Sequence, residues 1–253
     1  IEALRVALRE GKGRALVAVM AANNETGVVQ PVAEISRLCR EAGALLLVDA
    51  VTAAGKIDLD IGLCDYLTLS AHKLGGPQGV GALVVQGDAP LAPQMTGGGQ
   101  QKGLRAGTEN LSGIAGFGAA AKTVLAETDE QACVQSVRDY FEARLKTALP
   151  EAVIFGAGAQ RLGNTSNVAL PGLASENIVI ALDLDGVMVS SGSSCSSGKI
   201  APSHVLSAMG VADDLAGASI RVSFGWNSTN ADADAVIASL LNLRQRVRTR
   251  AAA

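Results

Sequence analysis

The sequence predicts an α/β protein in which helices cover a mainly parallel sheet and a smaller α/β domain follows. Residues 16–20, 44–50 and 66–69 form short, nearly continuous apolar runs, as expected of parallel strands that are covered on both faces. Between the first two runs, residues 32–39 carry apolar side chains at the spacing of one buried helix face. Strands and helices that alternate through short links are typical of a sheet with helices packed on it.

The other periodic segments extend this prediction to the C-terminus. Further strands are predicted at 80–85, 153–155, 165–170, 187–190 and 219–224, and helices at 1–10, 111–127, 129–149, from Ser175, from about Pro202 and at 232–248. Strand and helix alternate anew from Pro150 onward. The predicted domains are therefore a large one over residues 1–149 and a small one over residues 150–253.

The composition argues against several classes of protein. The 253 residues carry a net charge of −3, which gives no case for a surface that binds nucleic acid or an anionic membrane. The four cysteines are far apart and form no C-x-x-C pair, which argues against a zinc site or a disulfide framework and for a reducing cytoplasm. No apolar run has the length of a membrane span, and no signal peptide is expected before the first strand. Three of the cysteines, Cys39, Cys64 and Cys133, are interpreted as structural.

The first residues form a helical pattern, because Ile1, Leu4 and Leu8 share one face. A chain that opens within a helix, and without a methionine, is expected to be a piece of a longer protein.

A lysine follows the predicted strand at 66–69. Lys73 lies in the segment SAHKLGGP, residues 70–77. It either reaches the surface beside glycines that only make a turn, or it is a reactive amine that forms a Schiff base with an aldehyde cofactor.

A second strand end favours the cofactor. Asp49 closes the run at 44–50, and taken alone it is a turn or helix-capping acid. Ligands of open α/β sheets bind at the C-terminal ends of the strands. Enzymes that use pyridoxal phosphate (PLP) need a lysine for the aldehyde and often an acid for the pyridinium nitrogen. Asp49 and Lys73 at successive strand ends therefore make a PLP site the better interpretation.

Two polar segments each have two interpretations. Residues 95–108 are rich in glycine and form either a flexible surface loop or a backbone cradle for an anion, with Arg105 and Thr108 as further donors. Cys195 lies among serines and glycines that cannot bury it, so its position is expected to be exposed. It is either an incidental thiol on a linker or a mobile nucleophile, since thiols ionise partly at neutral pH.

Seven motifs occur in the order in which cysteine desulfurases carry them, and nearly the whole chain resembles that family. They are NNETGVVQP (23–31), VDA (48–50), SAHK (70–73), GGGQ (97–100), LRAGTEN (104–110), SSGSSC (190–195) and SIRVS (219–223). The resemblance implies a PLP-dependent transferase of fold type I, which is the aspartate aminotransferase-like fold shared with class-V aminotransferases. The family also carries an N-terminal phosphate-binding loop and a histidine that stacks on the ring, and nothing in this chain matches them.

The resemblance implies seven cofactor-binding residues, of which five bind the aldehyde, the pyridinium nitrogen or the phosphate. Lys73 holds PLP and moves protons at the substrate α-carbon, and Asp49 pairs with the pyridinium nitrogen. Ser70 and His72 bind the phosphate. Thr108 reaches the phosphate from a second subunit, which implies a functional homodimer.

The remaining roles concern the ring hydroxyl and the substrate. Asn24 lies near the ring hydroxyl or the substrate, and Thr52 stands where many relatives have a glutamine that touches the hydroxyl. Arg221 is by itself either an outward-facing strand residue or a bidentate carboxylate clamp, and its family position supports the clamp. Trp226 stands where relatives often carry an arginine.

The implied reaction converts L-cysteine to L-alanine, while Cys195 takes the sulfur as a persulfide and passes it to an acceptor or scaffold protein. The sulfur would supply iron–sulfur clusters or thio-cofactors. Two alternatives remain open at this stage: selenocysteine lyase or cysteine sulfinate desulfinase activity on the same scaffold, and an inactive fragment that only dimerises or binds partners.

Overall fold

The computed structural model describes residues 1–126, 130–191 and 203–251. Its contacts divide the chain into two units. The first unit comprises Ile1–Ala22 and Gln30–Thr128, and the second comprises Asn23–Val29 and Asp129–Ala253. The turn that begins at Asn23 is therefore packed with residues that lie far away in the sequence.

The first unit is built on a four-stranded sheet in the order β1-β2-β3-β4. The strands are β1 (Leu16–Met20), β2 (Leu45–Asp49), β3 (Tyr66–Ser70) and β4 (Gly81–Val85). The first three run parallel, and β4 pairs antiparallel with β3. The mainly parallel sheet predicted from the three apolar runs is confirmed.

Three helices belong to this unit: α1 (Glu2–Glu10), α2 (Val32–Glu41) and α3 (Leu111–Ala126). The predicted inner face of α2 is confirmed, since Ile35, Leu38 and Cys39 are buried. Pro31 occupies the N-cap of α2. Helix α1 has no buried residue, although its apolar side chains share one face.

The second unit contains an antiparallel sheet in the order β5-β6-β8-β7. Its strands are β5 (Val153–Ile154), β6 (Thr165–Ala169), β7 (Ser190–Ser191) and β8 (Ser219–Ser223). Its helices are α4 (Glu130–Ala148), α5 (Ser175–Leu184), α6 (His204–Ala208), α7 (Asp213–Ala216) and α8 (Asn230–Ala251). The predicted α/β character of the C-terminal part is confirmed.

The core of the second unit lies between its sheet and its long helices. Phe141 and Leu145 of α4 are fully buried with Ile220 of β8 and Leu240 of α8. The rings of Phe141 and Phe224 lie 5.7 Å apart in a tilted arrangement, which is a favourable geometry for an aromatic pair. This packing fixes β8, the strand that carries Arg221.

Two details differ from the sequence-based expectation. The strand predicted at 187–190 begins at Ser190, because the backbone N–H of Val187 donates to the carbonyl of Leu182 and closes the end of α5. Cys133 is exposed, since the buried face of α4 is formed by Val134, Val137 and Phe141.

Among the described residues, no helix is long and apolar enough to cross a membrane.

Candidate active site

Asp49 ends β2 at the edge of the sheet where ligands of parallel strands bind. It is half-buried, and its Oδ1 accepts a hydrogen bond from the backbone N–H of Val51 at 2.9 Å. Asp49 pairs with Thr68 in the register of β2 and β3. Ser70, the last residue of β3, is therefore only two residues further along the neighbouring strand.

Lys73 lies in a short 3-10 turn, Ala71–Leu74, that begins where β3 ends. Ser70 Oγ and His72 Nδ1 are 2.8 Å apart and share a hydrogen bond. Ala71 is fully buried and anchors the turn, whereas His72 and Lys73 are exposed. The turn thus presents a hydroxyl, an imidazole and an amine beyond the strand end.

Helix α3 supports this turn through very small residues. A Cβ atom on Gly76 would lie 3.2 Å from Cβ of Ala120, and one on Gly116 would lie 2.5 Å from Cγ of Pro77. Gly75 closes the turn with a φ of 80°, which is a left-handed conformation that favours glycine. Close backbone approach therefore fixes the segment that carries Lys73.

A second lysine influences the same region. Lys56 is half-buried, and its Nζ donates to the carbonyl of Thr52 at 3.0 Å. Burial, and secondarily the positive charge of Lys73, lower the pKa of the Lys56 ammonium. Thr52 thus contributes a backbone acceptor to Lys56, in addition to its predicted place near the cofactor ring.

The glycine-rich segment carries Thr108 on an exposed loop of the first unit. Ala106 is buried, and its N–H donates to the carbonyl of Met95 at 2.9 Å, which holds the two ends of the loop together. Gln101 and Lys102 have φ values of 49° and 59°, an uncommon conformation for residues other than glycine. The side chain of Thr108 lies at the surface.

In the second unit, a tight turn at Asn23–Gly27 meets β8. Asn23 Oδ1 accepts from the N–H groups of Glu25 and Thr26, each at 2.9 Å, and Gly27 adopts a φ of 75°. Arg221 of β8 donates from Nη1 to the carbonyl of Asn24 at 3.0 Å and from Nη2 to Ser190 Oγ at 3.4 Å. The structure therefore brings the side chain of Arg221 onto the backbone of Asn24.

The predicted site residues divide as follows. Asp49, Thr52, Ser70, His72, Lys73 and Thr108 belong to the first unit, and Asn24 and Arg221 to the second. Cys195 lies outside the described residues. Trp226, with 77% of its surface exposed, follows β8 by three residues.

Sequence reasoning missed Asn167, which lies next to Arg221 in the sheet. It is fully buried, it pairs with Arg221 in the register of β6 and β8, and its Nδ2 donates to the carbonyl of Glu25 at 3.2 Å. The available signal was an amide within the strand predicted at 165–170, since a buried polar group needs partners. Within residues 1–126, 130–191 and 203–251, no cluster of three or more His, Cys, Asp or Glu side chains could hold a metal ion.

Known proteins resemble the chain over most of its length. It is 41% identical over 237 residues to a cysteine desulfurase of Trichormus azollae and 44% identical over 239 residues to one of Cereibacter sphaeroides. These alignments cover 92% and 94% of the chain but only 59% and 61% of the relatives. The chain therefore spans about three-fifths of the length of these curated relatives.

A solved structure has the same fold. A NifS-like protein from Rickettsia africae superimposes with a TM-score of 0.89 at 33% identity, covering 96% of this chain and 66% of that one. The family described as Aminotransferase class-V matches residues 2–236, and its members depend on PLP. The chain therefore belongs to the class-V aminotransferase family of fold-type I enzymes.

Proposed function

We propose that this chain is the part of a cysteine desulfurase that carries the lysine, the pyridine-binding acid and the sulfur-accepting cysteine. The observation that carries the proposal is the placement of Asp49 at the end of one parallel strand and of Lys73 just after the end of the adjacent one, in a chain 41% identical to a curated cysteine desulfurase. The activity belongs to the whole protein, since the chain spans 59% of that relative.

The residues present suit PLP. Asp49 uses Oδ1 for the N–H of Val51, which leaves Oδ2 for the single N–H of a pyridinium ring. The hydroxyl of Ser70 and the imidazole of His72 are donors suited to a phosphate, and the exposed amine of Lys73 suits an aldehyde. When bound, PLP supplies an electron sink that acidifies the substrate α-carbon.

The protein side chains then have separate tasks in the first unit. With PLP bound, Lys73 would hold the cofactor aldehyde and would carry protons at the substrate α-carbon. Asp49 would accept a hydrogen bond from the ring nitrogen and so favour its protonated form. Ser70 and His72 bind the phosphate, and Thr52 lies near the ring hydroxyl.

In the second unit, Arg221 binds the substrate carboxylate, and Asn24 contacts the ring hydroxyl or the substrate. A guanidinium group matches a carboxylate with two parallel N–H donors. Cys195, as a thiolate, attacks the substrate sulfur. A sulfur–sulfur bond forms as the carbon–sulfur bond breaks, and the electron pair of the broken bond stays on carbon, which takes a proton to give L-alanine.

The setting of the reaction is also part of the proposal. Thr108 lies on an exposed loop, which suits contact with the phosphate site of a second subunit in a homodimer. The persulfide passes its sulfur to an acceptor or scaffold protein for iron–sulfur cluster or thio-cofactor assembly. Cys39, Cys64 and Cys133 are free thiols, which suits the reducing cytoplasm.

Borohydride reduction of the isolated protein with PLP, followed by peptide mass mapping, tests the cofactor site. We expect one pyridoxyl adduct, on Lys73, and its loss in Lys73→Ala. Adducts scattered over surface lysines, or none, would contradict the site and favour a chain that only dimerises or binds partners.

Conversion of L-cysteine to L-alanine tests the reaction. Cys195→Ala is expected to retain the cofactor absorbance and form no persulfide. Sulfide release by that variant at the parent rate would exclude Cys195 as the nucleophile. Higher rates on L-selenocysteine or L-cysteine sulfinate than on L-cysteine would identify a lyase or a desulfinase on the same scaffold.

A further inference from the structure

Three polar side chains form a row across the sheet of the second unit. Asn167 of β6 and Ser190 of β7 are the register partners of Arg221 on β8. Side chains at paired positions of adjacent strands project to the same face. An amide, a guanidinium group and a hydroxyl therefore lie side by side on one face of this sheet.

The row holds two consecutive carbonyl groups of the Asn23–Gly27 turn. Arg221 Nη1 donates to the carbonyl of Asn24 at 3.0 Å, and Asn167 Nδ2 donates to the carbonyl of Glu25 at 3.2 Å. Glu25 is itself 5% exposed, and its carboxyl group accepts a hydrogen bond from Ser203. The turn is thus held both by its backbone and by the Glu25 side chain, and Asn167 and Arg221 donate to two consecutive carbonyl groups.

Asn167 and Arg221 each have one buried polar atom without a hydrogen-bond partner among the described residues. These atoms are Asn167 Oδ1 and Arg221 Nε. A buried polar atom without a partner costs about 1–3 kcal/mol. One of these atoms is an acceptor and the other is a donor, and they belong to residues at paired positions of neighbouring strands.

We infer that Asn167 is a positioning residue for the Arg221 carboxylate clamp. Asn167 Oδ1 is the acceptor for Arg221 Nε–H when the guanidinium group turns its two Nη atoms toward a substrate carboxylate. The Nδ2 bond to the Glu25 carbonyl holds the amide in the orientation that this contact requires. Asn167 does not touch the substrate, and it acts through Arg221. This inference rests on the proposed function.

The test measures how the whole protein binds L-alanine, the proposed product, which carries the same carboxylate as the substrate. Calorimetry is expected to show about tenfold weaker binding for Asn167→Ala, the effect of one lost hydrogen bond to a charged group. The same variant should raise KM for L-cysteine by about tenfold and leave kcat within about twofold, since it removes an interaction made equally in the ground and transition states. If Asn167→Ala does not fold, Asn167→Ser takes its place with the same expectation.

A double-mutant cycle separates positioning from general structural damage. In the Arg221→Ala background, Asn167→Ala should weaken L-alanine binding no further, because the residue through which it acts is gone. Ser166→Ala is the matched control, since Ser166 is fully buried on the same strand and bonds Glu142 instead. It should leave the affinity for L-alanine unchanged.

The outcomes are distinguishable. Unchanged affinity in Asn167→Ala, or an equal loss in the presence and absence of Arg221, would overturn the inference. A wild-type protein that binds L-alanine without converting L-cysteine would overturn the proposed function and leave the test of Asn167 valid. A wild-type protein that does not bind L-alanine would overturn both.

Discussion

Gly116 of α3 packs so closely on Pro77 that a Cβ atom at Gly116 would lie 2.5 Å from Cγ of Pro77. Pro77 follows the turn that carries Lys73, so this contact fixes the distance between α3 and the lysine turn. A separation of 2.5 Å is shorter than real Cβ contacts, and the proline ring is rigid. Any side chain at Gly116 must therefore displace the helix or the turn.

Gly116→Ala is expected to lower the free energy of unfolding by about 1–3 kcal/mol, as overpacking does, and to weaken PLP retention. Gly118→Ala on the same helix is the control, because a Cβ atom there meets nothing within 4 Å. That change should stabilise the protein by about 0.5–1 kcal/mol through helix propensity. Urea unfolding midpoints measure both, and equal effects would show that the Pro77 contact is unimportant.

Removal of the Ser70 hydroxyl tests the proposed phosphate site. Ser70→Ala loses the hydrogen bond to His72 Nδ1 and one donor for the phosphate. The PLP dissociation constant should rise about tenfold, as for one hydrogen bond to a charged group, with little change in stability. Fluorescence titration with PLP measures it. Ser112→Ala, a change at an exposed helix position in the same unit, should bind PLP as the parent does.

Lys56 predicts a pH dependence of stability. Its pKa in the folded protein is lowered by burial and by the charge of Lys73. At pH values between this lowered pKa and the ordinary pKa of 10.5, the unfolded chain therefore binds more protons than the folded protein. The free energy of unfolding of the parent, relative to that of Lys56→Met, should therefore rise with pH through this window. At neutral pH the charged Lys56 should lower the free energy of unfolding. Thermal unfolding from pH 7 to 10.5 measures the difference.

The exposed Lys122 provides the control for this profile, since Lys122→Met should follow the parent at every pH. A constant difference between the parent and Lys56→Met across the range would show that folding does not shift the pKa of Lys56.

The buried ion pair of Arg161 and Glu142 should contribute strongly to the stability of the second unit. Arg161 and Glu142 form two parallel bonds of 2.7 and 2.8 Å, with side chains 6% and 13% exposed. Glu142→Ala leaves the Arg161 charge buried and unpaired, so we expect a loss of about 3–5 kcal/mol. Urea unfolding measures this loss. Urea is used because guanidinium chloride is a salt and would screen the charges.

The matched comparison is the exposed pair of Arg37 and Glu41, whose side chains are 53% and 56% exposed. Glu41→Ala should cost no more than about 0.5 kcal/mol. Similar losses for both pairs would contradict the distinction based on burial.

Cysteine alkylation should separate the thiols of the chain. Cys39 and Cys64 are 1% and 6% exposed, and burial, followed by the charge of Asp65, raises the pKa of each thiol. Cys133 is exposed. Mass spectrometry after brief iodoacetamide treatment of the native protein should find Cys133 modified and Cys39 and Cys64 protected, and all three modified in urea. Rapid native labelling of Cys39 would show that the helix α2 core opens.

The spacing of apolar residues was sufficient to predict the strands of the first sheet and the order of Asp49 and Lys73 along the chain. Asp49 and Lys73 were predictable as residues at the ends of adjacent strands, because short apolar runs mark parallel strands and such strands end at one edge. Glycines near Lys73 were visible as a turn signal, although not as contacts with α3.

Which residues from distant parts of the sequence come into contact depends on how the elements pack. Nothing in the local pattern pairs Asn167 with Arg221, which are 54 residues apart, or joins either to the turn at 23–27. The register between such distant strands depends on the packing of both faces and not on either segment alone. The same holds for Arg161 and Glu142, and for the lowered pKa of Lys56, which arises from burial that no sequence period shows. Periodicity determines which face of an element is buried, whereas the partner that satisfies a buried polar group is chosen only when the elements pack.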